Sequence, residues 1–330
     1  MTFCRPSGML IELTKKCPLR CIHCFLTPEE KRNNVFFQDR KLFVKILDDL
    51  VEEGALFLTF TGGEPLLHPN IWHLFEESQK RHFAVSMKTS GVLIDSETVE
   101  KLIKYRPLHI DVSIYSAVAR EHDRITAVPG SFKKSIRGIS MLREAGIKVR
   151  VSSPLITPLP DLEKLYELAE SFDAVWQPDP FIFKGNHNCN NYESLILTDR
   201  ELENFVWFML SKNLYTMDEI YCPERPSGLC AFGEKGIVLD ADAHWNLCAL
   251  DKKKIADARK TSVRKAMTLS TELREKIENK RECRNCDLLP YCQPCTALSN
   301  LEDGSYLACS SQRKRFAEIL KKVHREFSRG

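Results

Sequence analysis

The stretch Met9-Leu-Ile-Glu-Leu-Thr-Lys-Lys-Cys-Pro-Leu-Arg-Cys-Ile-His-Cys-Phe25 decides how the rest of the chain reads. Its opening residues, 9–12, are a short apolar run that predicts a strand. Cys17, Cys21 and Cys24 follow in the spacing C-x3-C-x2-C. Three thiolates can hold three irons of a four-iron cluster and leave the fourth iron open to a small molecule. In an ordinary Cys4 site every metal valence is filled by protein, and the metal only cross-links the fold or passes electrons. An open iron implies a reaction.

Downstream of this segment, apolar runs at 56–60, 83–87, 108–114, 147–151 and 174–177 alternate with amphipathic stretches at 39–53, 71–80, 96–105, 132–145 and 161–171. The runs predict strands and the stretches predict helices. Such alternation implies parallel strands with right-handed crossovers, as in an open barrel or a doubly wound sheet. In both, the ligand site lies at the carboxyl ends of the strands, which is where the cysteine triad falls. The second strand ends in Thr61-Gly-Gly-Glu-Pro65. Glycines let a ligand approach backbone carbonyls closely and Glu64 adds an anionic acceptor, so Gly62, Gly63 and Glu64 suit an ammonium group.

With 330 residues and 43% hydrophobic content the chain can bury a large core. Its 48 Lys and Arg against 45 Asp and Glu leave a formal +3, too near balance to indicate a nucleic-acid or membrane partner. No apolar run approaches the roughly 20 residues of a spanning helix. The first residues lack the apolar core of a signal peptide, so a cytoplasmic location is expected. In a reducing cytosol, 13 cysteines point to metal ligation and not to a disulfide framework.

Eight of those cysteines crowd the last third: Cys222, Cys230, Cys248, Cys283, Cys286, Cys292, Cys295 and Cys309. Eight thiolates make two Cys4 sites, and spacing alone fits zinc or iron-sulfur clusters. The cluster reading gains because the chain already builds one cluster that needs electrons. Cys4 reads as an incidental thiol. Cys189 and His187 lie in a polar loop expected to overhang the barrel mouth. Residues 200–211 predict a helix whose Phe205, Trp207 and Phe208 face a core, and residues 312–327 predict a helix with a solvated basic face.

The cysteine triad and the Gly-Gly-Glu-Pro segment at the ends of consecutive strands resemble the radical S-adenosylmethionine enzymes, over residues 8–215. The resemblance implies a partial (β/α)6 TIM-like barrel. It implies a four-iron four-sulfur cluster on Cys17, Cys21 and Cys24 whose open iron chelates S-adenosylmethionine. By the same resemblance His23 lies by the adenine, and Gly62, Gly63 and Glu64 take the methionine ammonium. Ser90 in the Thr-Ser-Gly after the third strand, Ser113 ending the fourth, and Ser152 with Ser153 ending the fifth become cofactor contacts. Arg124 in His122-Asp-Arg124 pairs with the cofactor carboxylate, and Gln177 is a weaker candidate for the barrel interior.

The last third resembles the SPASM extension of a subgroup of these enzymes, a small Cys-rich domain with two auxiliary clusters. The domain division implied is 1–215 and 216–330. Carried over, Cys222, Cys230, Cys248 and Cys295 hold the first auxiliary cluster and Cys283, Cys286, Cys292 and Cys309 the second, three four-iron four-sulfur clusters in all. Two departures are a spacing of two residues between Cys292 and Cys295 and Ala243 in place of a glycine. Cys222 is the least secure ligand, which would leave an iron of the first auxiliary cluster open.

The resemblance implies reductive cleavage of S-adenosylmethionine to a 5′-deoxyadenosyl radical that takes hydrogen from a ribosomally made peptide, installing a thioether or carbon-carbon crosslink or a related modification. It assigns no catalytic acid or base. Sulfatase-maturing members place an aspartate directly after the third cysteine of the extension; here Ala249 stands there and Asp251 follows, so that activity ranks lower. Only about ten residues precede the first strand, so a separate leader-peptide-recognition protein, or the barrel itself, is expected to bind the substrate's leader. A flavodoxin- or ferredoxin-type protein is expected to deliver electrons. The alternatives are an enzyme acting on a tetrapyrrole or other small molecule, and a non-catalytic iron-sulfur or zinc protein.

Overall fold

The computed structural model describes residues 6–32, 35–183, 192–224, 236–251, 253–280 and 282–329. Six parallel strands alternate with helices: β1 Gly8–Thr14, β2 Phe57–Gly62, β3 Ala84–Thr89, β4 His109–Ser113, β5 Val149–Pro154 and β6 Val175–Asp179. Three short strands follow, β7 Gly236–Leu239, β8 His244–Asn246 and β9 Lys254–Asp257. Among the described residues they form one sheet in the order β6-β5-β4-β3-β2-β1-β7-β8-β9. The first six form the open, partial barrel that the family resemblance implies, one of the two arrangements the alternation allows. β7 adds to the free side of β1 in parallel, pairing Met9 with Ile237 and Ile11 with Leu239. β8 and β9 continue antiparallel.

The crossover helices form where the amphipathic periods fall, and their first turns are capped by side chains. Asp39, Asp95 and Asp161 each accept the N–H of the third residue on, which satisfies an otherwise orphaned donor of the helices Arg40–Glu52, Ser96–Tyr105 and Leu162–Ser171. Their apolar faces, Phe43, Ile46, Leu47 and Leu50 on the first and Leu102 on the second, are buried against the sheet. Phe60 of β2 meets Phe75 edge to face at 5.1 Å between ring centroids.

Boundaries differ from the predicted ones where a helix end intervenes. The fifth strand begins at Val149 and not at 147, because Ile147 donates to Leu142 O at 2.9 Å and closes the preceding helix beyond the positive-φ Gly146. β5 and β6 run on to Pro154 and Asp179, carrying their last side chains to the barrel mouth.

The predicted helix at 200–211 is Asp199–Ser211, with Phe205 fully buried. It packs against the C-terminal helix Ser311–Phe327, whose basic face is tied down by Lys322 to Glu203 at 2.7 Å and Arg315 to Asp199 at 2.6 Å. The basic stretch between Cys248 and Cys283 holds the helix Val263–Glu278. None of the helices described is long and apolar enough to cross a membrane.

Candidate active site

After β1 the chain turns across the barrel mouth as residues 15–26. Leu19 and Leu26 are buried and anchor the loop at both ends. Arg20 N and Ile22 N donate to Thr126 O and Ile125 O, both at 2.9 Å. These anchors turn Cys17, Cys21 and Cys24 into one cavity of about 310 Å³. All three are free thiols. Burial pushes the Cys17 thiol up to about 12 and the Cys21 thiol up to about 11. Such thiols ionise only against a strong local positive charge, so they suit irons that displace their protons. Three thiols on one cavity are a donor set that a multi-iron cluster can use.

The glycines do a different job from the one their absent side chains first suggest. Gly62, at φ +137°, would place a Cβ 2.2 Å from Thr14 O, and Gly63 would place one 2.3 Å from Lys16 O. The β2 loop therefore presses directly on the backbone that leads into Cys17. Gly63 N donates to Thr14 O at 2.6 Å and Glu64 N to Lys16 O at 2.8 Å, which fixes this approach. Both glycines still line the cavity.

Glu64 is fully buried and is not among the residues lining the cavity. Thr89 Oγ1 donates to its Oε1 at 2.7 Å, with Leu66 N at 3.3 Å, and Ser90 donates to its Oε2 through N at 2.9 Å and Oγ at 2.5 Å. Four protein donors fill a carboxylate that the sequence reading gave to a ligand's ammonium. Burial pushes its pKa up, against these hydrogen bonds.

The inward positions of β3, β4 and β5 supply the rest of the cavity, and period-2 alternation selects them. Lys88 and Ser90, then Asp111, Ser113 and Tyr115, then Ser152 all line it. Ser153 faces the other way: its hydroxyl donates to Ile114 O at 2.6 Å and accepts Trp176 Nε1 at 3.0 Å. On β6 the lining residue is Asp179 and not Gln177. Lys88 and Arg150 are the register partners of Asp111 on either side. Lys88 Nζ donates to the buried Asp111 carboxylate at 3.0 Å, and Arg150 Nε lies 3.9 Å from it. Sequence reasoning passed over Lys88, Asp111 and Tyr115, although counting by twos from Ser113 reaches the latter two.

His23 lines the cavity as expected. Its ring meets Tyr115 edge to face at 4.7 Å, burial lowers its pKa to about 4, and its Nδ1 has no hydrogen-bond partner. A neutral ring with one unpaired nitrogen at the mouth suits a polar aromatic ligand edge. Arg124 corrects an expectation: it is exposed on the helix Ala119–Thr126 and does not line the cavity. Its neighbours act instead. His122 Nδ1 accepts Tyr115 N at 3.2 Å, and Asp123 accepts Gly130 N at 2.6 Å and Phe132 N at 2.8 Å, capping the next helix. The cavity's lysines are Lys31 and Lys88.

In the Cys-rich region Cys222, Cys248, Cys283, Cys286, Cys292, Cys295 and Cys309 fall among the described residues. Cys230 lies outside the described residues, as do Cys4, His187 and Cys189. Burial raises the Cys292 thiol to about 11, and it feels Arg313, Cys309, Cys283 and Cys286 as its charged neighbours. Those are the four cysteines assigned by resemblance to the second auxiliary cluster. Leu250, beside Cys248, reaches the cavity wall, whereas Asp251 is buried behind it and accepts Lys253 N at 3.2 Å.

Residues 11–171 match the Radical SAM superfamily. The chain is 28% identical over 170 residues to a PqqA peptide cyclase of Granulibacter bethesdensis, covering 51% of this chain and 45% of that protein. It is 30% identical over 167 residues to an AdoMet-dependent heme synthase of Methanosarcina barkeri, covering 50% and 47%. It is 32% identical over 263 residues to the antilisterial bacteriocin subtilosin biosynthesis protein AlbA of Bacillus subtilis, covering 77% and 57%. The chain thus spans about half the length of the curated relatives it matches. Among solved structures, native anSMEcpe with bound AdoMet and Cp18Cys peptide superposes with a TM-score of 0.71 over 97% of this chain and 99% of that one, at 17% identity, which shows the shared fold. With a triad of thiols on one cavity at the carboxyl ends of a partial barrel, residues 11–171 form a Radical SAM domain.

Proposed function

We propose that this protein is a radical S-adenosylmethionine maturase that modifies a ribosomally made peptide. The observation that carries the peptide reading is the extent of the match to AlbA: 263 aligned residues are more than the barrel holds, so the likeness continues into the Cys-rich region. The heme synthase match covers 167 residues, about half of this chain. It supports the second reading, a tetrapyrrole substrate.

The site's residues have distinct tasks in this proposal. Cys17, Cys21 and Cys24 hold the four-iron cluster, which with S-adenosylmethionine bound supplies the electron that cleaves the sulfonium to methionine and a 5′-deoxyadenosyl radical. Gly62 and Gly63 bring backbone carbonyls to the methionine end. His23 borders the adenine, while Ser90, Ser113 and Ser152 offer hydroxyls from three adjacent strands. Lys31 or Lys88, and not the exposed Arg124, supplies the charge for the carboxylate. A cavity of about 310 Å³ is near the lower limit for small-ligand sites.

Cys283, Cys286, Cys292 and Cys309 hold one auxiliary cluster, and Cys222, Cys230, Cys248 and Cys295 the other. Clusters held by these cysteines would supply an acceptor for the electron left on the substrate. A flavodoxin- or ferredoxin-type donor and a separate leader-recognition protein complete the system, placed in the cytoplasm. The division into a barrel of residues 1–215 and a SPASM domain of residues 216–330 follows the same reading.

The test is anaerobic reconstitution with iron, sulfide, dithionite and S-adenosylmethionine, followed by assay of 5′-deoxyadenosine. Wild type is expected to form it and Cys21→Ala is not; equal yields would sink the proposal. Peptides encoded beside the gene, incubated with the holoprotein, are expected to lose hydrogen by mass. Turnover of an iron porphyrin with no change in any such peptide would favour the second reading.

A further inference from the structure

Tyr115, the first residue after β4 and Ile114, is the side chain closest in character to a dedicated partner of the cysteine triad. Its hydroxyl lies 3.9 Å from Cys21 Sγ. The residue is held from several directions. Its backbone N–H donates to His122 Nδ1 at 3.2 Å, and its ring is bracketed by His23 at 4.7 Å and His122 at 5.3 Å. Ile125, Ile156 and Ile182 bury it in a small apolar cluster against which Cys21 and Ile22 pack. Ser113 approaches the same hydroxyl from the strand. A phenol has one proton to donate and two acceptor positions, so it can receive Ser113 and still give its proton to sulfur.

Between a bare thiol and a phenol either group can donate. Once Cys21 is a cluster thiolate it has no proton, and the O–H of Tyr115 becomes the donor. A hydrogen bond to a cluster sulfur withdraws negative charge, and it stabilises the reduced, more negative cluster more than the oxidised one.

We propose that Tyr115 is a positioning residue that donates a hydrogen bond to the Cys21 sulfur of the four-iron cluster and raises that cluster's reduction potential. The inference rests on the reading that the triad holds such a cluster, and it concerns a residue that the sequence motifs do not single out.

The experiment is potentiometric titration of the reconstituted holoprotein by electron paramagnetic resonance, comparing wild type with Tyr115→Phe. The signal that changes on adding S-adenosylmethionine identifies the cavity cluster. Tyr115→Phe is expected to keep the iron content and to lower the midpoint so that the reduced-to-oxidised ratio at fixed potential falls about tenfold, near 59 mV for one electron. An unchanged midpoint at wild-type iron content overturns the inference. Wild type lacking a signal that responds to S-adenosylmethionine overturns the cluster reading beneath it instead. If Tyr115→Phe loses iron, electron-nuclear double resonance of wild type in H2O and D2O decides: an exchangeable proton coupled to the cluster supports the hydrogen bond, and its absence overturns it.

Discussion

Ser90 gives Glu64 two hydrogen bonds, one from its backbone N–H at 2.9 Å and one from its hydroxyl at 2.5 Å. The pair locks the loop after β3 to the loop after β2, and a ligand at the barrel mouth meets surfaces that are already fixed. Replacing one oxygen by an amide sets N–H against N–H or O–H in a site with no exposure. Glu64→Gln is expected to cost about 2 kcal/mol, read from urea unfolding of the apoprotein. Ser90→Ala, which removes one donor and leaves the other, is expected to cost about half as much.

Gly63→Ala tests the close approach of β2 to the triad loop. A Cβ 2.3 Å from Lys16 O meets backbone and not a flexible side chain, so the loop carrying Cys17 must move. The expected result is a loss of roughly 2–3 kcal/mol in stability and a lower iron content after reconstitution.

His122 makes stability depend on pH. Burial in a site closed to water lowers its pKa to about 4, below the usual 6.5, and the neutral ring accepts Tyr115 N there. The unfolded chain takes up the proton first. The contribution of the neutral ring is therefore fully present above pH 6.5 and is lost progressively as pH falls toward 4, approaching roughly 3 kcal/mol. Urea midpoints of wild type are expected to fall over that window more steeply than those of His122→Asn. Parallel curves for the two proteins would contradict this assignment.

Asp111 stands between Lys88 at 3.0 Å and Arg150 at 3.9 Å. Asp111→Asn removes the carboxylate that stands between two cations on adjacent strands. A loss of about 2 kcal/mol is expected, below the value for a fully dry pair because Lys88 is half-exposed. Adding Lys88→Met to that variant removes one of the cations and is expected to restore part of the loss, a coupling that a double-mutant cycle measures.

Six strands and their crossover helices are legible in the sequence because each is local: apolar runs alternate with capped, amphipathic stretches, and the triad and glycine pair sit at consecutive strand ends. The cavity walls were only half legible. Ser113 drew notice through its motif, while Asp111 and Tyr115 share its face and lie in a run that reads as plain core. Glu64 looked like a ligand acceptor because its partners, Thr89 and Ser90, come from the next βα unit, and their arrival is a tertiary event. The pairing of Ile237 with Met9 was invisible for a similar reason. Four residues of strand carry no mark of a partner more than 220 positions away.

That last pairing has a consequence for how the molecule is made. β1 emerges first during synthesis, yet one of its edges is satisfied only when β7 arrives much later. Until then a nascent barrel displays an unpaired apolar strand, the surface on which chains join edge to edge. A fragment ending before Gly236 keeps that edge for good. Such a fragment is a poor vehicle for studying the cysteine triad alone, because it lacks the strand that covers this edge of β1.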